Sequence, residues 1–102
     1  MGASLNVASE KNGYTISDRA TYLANTSHLS LQLLVEGDPL LLNIYHVIEV
    51  NPSKSSKINA AGGTAFADFM VTPETQKVIA DFGKDKYGGA LFFPDAGKPD
   101  DN

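Results

Sequence analysis

Three small residues at the amino end are the first candidates for chemistry. Gly2, Ala3 and Ser4 open the helix-compatible stretch that continues through Leu5 to Glu10. A helix starting at Gly2 or Ala3 points several unpaired backbone N–H groups outward, with no bulky side chain to block approach. Such an end can receive an oxyanion, and the Ser4 hydroxyl is a further, weaker donor. The alternative is that small residues simply let a helix end pack closely against a neighbour. Arg19, the only arginine, could grip an oxyanion through two parallel N–H bonds. On a short polar helix its expected role is in solvent or paired with Asp18 or Glu10. Gly62-Gly63 lacks the lysine and the serine or threonine of a Walker loop, so close packing is its expected role.

Little else suggests a reaction centre. His28 lies in a polar connector and His46 in an apolar run, and neither sits in a recognised metal-ligand motif. No serine occupies a nucleophile elbow, and Asp95, Asp100 and Asp101 read as a solvated tail. The absence of cysteine removes disulfides, thiolate metal sites and cysteine nucleophiles together. The expectation is a protein that is not an enzyme and carries no cofactor. A formal net charge of -4 without a basic cluster argues against a nucleic-acid surface, where lysine and arginine must neutralise phosphates. No apolar run approaches the roughly 20 residues that span a bilayer, and residues 1–20 contain no basic region followed by an apolar core.

The elements that must position these residues centre on Leu31 to Pro52. Leu31 to Val35 is nearly continuous in apolar residues, as in a strand covered on both faces. Glu36-Gly37-Asp38-Pro39 interrupts it. Ile44 to Val50 then alternates with period two. Helices are expected near 2–10, 17–24, 60–71 and 73–82. Lys11-Asn12-Gly13 marks a turn, Thr15 or Ser17 can cap the second helix, and Asp18 suits its first turn. Phe66, Phe69 and Met70 share one face of the third. Thr72-Pro73-Glu74 supplies a cap, a first-position proline and a favourable charge for the fourth, which Gly83 ends. The apolar residues of Tyr87 to Pro94 should anchor an extended arm, and Gly97 to Asn102 should fray. These readings give an α/β fold, with helices packed on a short mixed sheet of strands near 31–35 and 44–50.

Several segments in order, Met1-Gly2-Ala3-Ser4-Leu5-Asn6, Tyr14 to Leu23, Val35 to Tyr45 and Phe66 to Phe82, make the chain resemble the extracytoplasmic tungstate-binding proteins of ABC transporters. These belong to the type II periplasmic binding protein group. The resemblance spans essentially the whole chain but matches only the carboxy-terminal part of such a protein. It implies that residues 1–37 are a portion of the second lobe and that residues 38–102 hold a crossover and the return to the first lobe. It also implies that Met1 corresponds to an internal residue of the family. The family's amino-terminal half, with its threonine- and serine-rich ligand loop and an arginine-bearing motif, has no counterpart here, and Arg19 does not correspond to that arginine.

The implied function is capture of tungstate or molybdate between lobes, with Gly2, Ala3 and Ser4 facing the oxyanion. Delivery would be to a membrane permease, and the implied location is periplasmic or extracellular, associated with the membrane through the transporter. The alternative is a small non-catalytic interaction domain that dimerises. Either reading leaves apolar edges to be covered, by the missing amino-terminal half or by a second copy of the chain.

Overall fold

The computed structural model describes residues 1–99. Five helices are formed there: α1 (Gly2–Lys11), α2 (Arg19–Asn25), α3 (Ala60–Met70), α4 (Pro73–Asp81) and α5 (Lys84–Tyr87). Single 3₁₀ turns occupy Thr26–His28, Pro39–Leu41 and Pro52–Lys54. α1 packs on α2 and α3 packs on α4, giving two helical pairs joined by the long irregular segment 29–59.

Local chemistry explains where the helices begin and end. α1 stops where Asn12 adopts a left-handed conformation (φ 53°), which lets the Gly13 N–H reach the Ala8 carbonyl at 2.8 Å. α2 starts one residue later than a Ser17 cap would set it and three later than a Thr15 cap would. Asp18 is the cap itself, its carboxylate accepting from the Thr21 N–H at 2.7 Å and the Thr21 hydroxyl at 2.8 Å. α3 is capped by Asn59, whose side chain accepts from the Gly62 N–H, and α4 by Thr72, as its sequence indicates. The Thr72 and Thr75 hydroxyls lie 3.0 Å apart, and Thr75 is buried. The short α5 was not apparent from the sequence.

The expected sheet is not formed: no strand occurs among the described residues. Residues 31–35 and 44–50 do not pair with each other, and the link between them is an organised turn. Asp38 caps the 3₁₀ turn, its carboxylate accepting from the Leu40 N–H and its carbonyl from the Leu41 N–H, both at 2.9 Å. A strand needs a neighbour for its backbone N–H and C=O groups, and two isolated runs cannot build a stable sheet. Their apolar side chains therefore stay in solvent, with Leu34 68% and Ile48 83% exposed. The face expected to turn Phe66 and Phe69 inward is corrected likewise: α3 packs on α4, yet both phenylalanines are more than half exposed.

The core is correspondingly small. Leu5, Ala8 and Leu91 are its buried apolar residues. Ser9 and Ser30 clasp the end of α1 to the start of the irregular segment, with the Ser30 N–H donating to Ser9 Oγ at 2.9 Å and the two hydroxyls 3.0 Å apart. The arm after α5 is the other organising piece. Leu91 is buried, and Phe92 meets Tyr45 edge-on (6.2 Å) and Phe82 at a tilt (6.4 Å). Gln76 of α4 holds the arm further on, its Oε1 accepting from the Asp95 and Ala96 N–H groups while its Nε2 donates to the Met70 carbonyl.

The molecule is open for its size. Its radius of gyration is 17.5 Å, where a compact chain of this length would have about 13 Å. It exposes 7976 Å², against roughly 5,600 Å² expected of a compact monomer of its mass. Asp100, Asp101 and Asn102, part of the expected fraying tail, lie outside the described residues; Asp95 to Lys98 form a turn closed by the Lys98 N–H on the Asp95 carbonyl.

Candidate functional site

The amino end of α1 has no side-chain cap. Its first intrahelical bond runs from the Leu5 N–H to the Met1 carbonyl at 3.1 Å, so the Gly2, Ala3 and Ser4 amides have no acceptor within the helix. Nothing lies within 4 Å of the place a Cβ would take on Gly2. Gly2 is half-buried, while Ala3 and Ser4 are exposed. The structure thus puts the three sequence-predicted residues on one accessible turn, with their N–H groups directed along the positive end of the helix dipole.

Ala3 and Ser4 also line an open groove of about 470 Å³ that continues past Val7, Ala8 and Lys11 to Gly13, Tyr14 and Thr15. Gly2 lies outside that lining. The groove arises because Ser4, Val7, Ala8 and Lys11 fall at helical spacing on one side of α1, and the chain turns back at Asn12-Gly13 to lay Tyr14 and Thr15 beside them. Sequence reasoning missed Lys11, Tyr14 and Thr15 as neighbours of this face. The same spacing, followed beyond the first turn, points to Lys11, whereas Tyr14 and Thr15 lie past the helix end and are brought there by the turn at Asn12-Gly13.

The surroundings combine donors with one fixed anion. Met1 Sδ accepts from the Asp18 N–H at 3.2 Å, which brings the start of α2 beside the start of α1. The Thr21 backbone N–H, helped by the Thr21 hydroxyl, holds the Asp18 carboxyl below its ordinary value of 3.8 despite an opposing cost of burial. That carboxylate is engaged by Thr21 as the α2 cap. The groove side chains contribute neutral hydroxyls and the Lys11 ammonium, and can hold an anion by hydrogen bonding without ionisable catalytic groups.

Arg19 is not part of this face. Instead of Asp18 or Glu10, its guanidinium pairs with Glu36 Oε2 at 3.0 Å, donates from Nε to the Ala90 carbonyl at 2.8 Å and lies over the Phe93 ring. The Gly62-Gly63 pair is divided. A Cβ on Gly62 would fall 2.7 Å from the Asn59 side chain that caps α3, whereas Gly63 has open space and borders a second groove with Val47, Ile48, Val50 and Phe66. Among the described residues no group of three His, Asp or Glu side chains could hold a metal ion, and no helix is long and apolar enough to cross a membrane.

Comparison with known proteins agrees with the resemblance read from the residues. The chain is 46% identical over 98 residues to the tungstate-binding protein TupA of Peptoclostridium acidaminophilum, an alignment covering 96% of this chain and 34% of that protein. It is 34% identical over 86 residues to the tungstate-binding protein TupA of Campylobacter jejuni, covering 80% of this chain and 32% of that protein. The chain therefore spans about a third of the length of these curated relatives. No solved structure gives a significant match. A family profile described as PBP superfamily domain matches residues 1–74, most of the chain, and the protein belongs to that superfamily.

Proposed function

We propose that this chain supplies one wall of an oxyanion site in the solute-binding component of an ABC transporter, acting in the periplasm or at the extracellular face. The ligand is tungstate, with molybdate its competitor, and the recipient is the membrane permease. The chain itself performs no catalysis. The observation that carries this reading is the uncapped, small-residue start of α1, where the Gly2, Ala3 and Ser4 amides lack intrahelical acceptors. The similarity to proteins named for tungstate binding supports the choice of ligand. A tetrahedral dianion held by neutral N–H and O–H donors is compatible with a net charge of -4. On this reading residues 1–37 belong to one lobe and residues 38–102 form the crossover and the return to the other.

The test is calorimetry on the whole protein containing these residues. Ala3→Pro removes one amide that makes no intrahelical bond, within a first turn that tolerates proline. Tungstate affinity should fall about tenfold or more with the circular dichroism spectrum unchanged. Unaltered affinity would remove this helix end from the site. Titrating tungstate, molybdate and sulfate in parallel measures selectivity.

A second reading, a non-catalytic module that pairs with another copy, is favoured by the exposed apolar runs at 33–35 and 40–50. The surface exposed exceeds that of a compact monomer by roughly 2,400 Å², more than a standard protein interface buries in total.

A further inference from the structure

The three contacts of Arg19 all reach residues remote in sequence. Nη1 pairs with Glu36 Oε2 at 3.0 Å, Nε donates to the Ala90 carbonyl at 2.8 Å across 71 positions, and the guanidinium carbon lies 5.6 Å from the centre of the Phe93 ring. At its other end the same arm is held by Gln76 of α4 through the Asp95 and Ala96 N–H groups. Between these two attachments Leu91 is buried and Phe92 rests on Tyr45 and Phe82. Residues 89–96 thus run from α2 to α4 and touch both helical pairs.

We propose that residues 89–96 act as a strap that sets the placement of the α1–α2 pair relative to the α3–α4 pair, and that Arg19 is the positioning residue that fastens it. The chemistry suits arginine specifically. A planar guanidinium can donate in two directions within its plane while its face covers an aromatic ring, which a lysine ammonium cannot reproduce. An exposed Arg–Glu pair alone would add little; here it accompanies a bond to a backbone carbonyl and a ring contact on the same group. The proposal concerns relative placement and holds whether or not α1 receives an oxyanion.

The chain has no cysteine, so spin labels can be placed without altering the background. Labels on the exposed positions of an E10C/E74C variant report the distance from α1 to α4 by pulsed electron resonance. The parent should give a single narrow distribution, and Arg19→Ala should broaden it about twofold with helix content retained. Arg19→Lys should broaden it as much, because the charge without the fork does not fasten the arm. Lys77→Ala, which breaks a surface ion pair with Asp81 away from the strap, should leave it narrow. Should Arg19→Ala lose its helical signal, the double variant Glu36→Ala/Phe93→Leu decides by the same width, since it removes the Glu36 acceptor and the aromatic face and keeps the Ala90 bond. Parent-like width in the deciding variant, full rescue by lysine, or equal broadening in Lys77→Ala would overturn the proposal.

Discussion

Replacing Gly83 by alanine isolates the packing of the arm from the conformational demand of its turn. Gly83 has φ 74° and Gly88 has φ 75°, so alanine at either position incurs the same left-handed backbone cost, about 1–2 kcal/mol. Their surroundings differ. A Cβ on Gly83 would fall 2.6 Å from Leu91 Cδ1 and 3.2 Å from Tyr87 Cδ2, whereas Gly88 has nothing within 4 Å. Leu91 is one of the few buried residues and cannot withdraw without uncovering itself, so the extra contact should cost about 1–3 kcal/mol, as overpacking of a filled site does. Urea unfolding followed by circular dichroism, at fixed protein concentration, should therefore place the Gly83→Ala midpoint about 1 M below that of Gly88→Ala. Equal midpoints would mean that Leu91 does not fill the space over Gly83, and the account of the arm's anchoring would fall with it.

Acid should act through Asp18. Its carboxyl is held below its ordinary value, so the stability it contributes is present above pH 3.8 and is lost as pH falls through the lowered value. Asp18→Asn, which can still cap, should flatten that loss, and Asp18→Ala should cost about 1 kcal/mol at neutral pH; an unchanged acid profile in Asp18→Asn would exclude this group. Light scattering on the purified 102-residue chain should show concentration-dependent association through the exposed runs at 33–35 and 40–50, and a dilute monomer with cooperative unfolding would count against it.

What the sequence revealed about the fold was its punctuation. Thr72-Pro73 and Gly83 locate α4 because capping and left-handed turns depend on adjacent residues, and Lys11-Asn12-Gly13 ends α1 for the same reason. What it hid depended on distant partners. Leu31 to Val35 has the composition of a covered strand, yet composition cannot supply the neighbour that would cover it, and the run stays irregular. For Arg19 the sequence offers only solvent or the nearby acids Asp18 and Glu10, because only near neighbours are visible along a chain; Glu36, Ala90 and Phe93 reach it through folding. The small residues at positions 2–4 were legible as a helix start, while Tyr14 and Thr15 beside the same helix required the turn at Asn12-Gly13 to be seen in space.

The strap also bears on the order in which the molecule assembles. The Ser9–Ser30 clasp closes a loop of 21 positions and the Arg19–Ala90 bond one of 71; the longer closure costs about 1 kcal/mol more in chain entropy. The first helical pair should therefore form early and the strap last, after the rate-limiting barrier has been crossed. Contacts made that late slow unfolding without hastening folding. In stopped-flow measurements Arg19→Ala should raise the unfolding rate while leaving the refolding rate nearly as it was, and a variant that instead folded more slowly would put the strap inside the nucleus. A molecule built this way owes its persistence, more than its speed of formation, to contacts that close the longest loops.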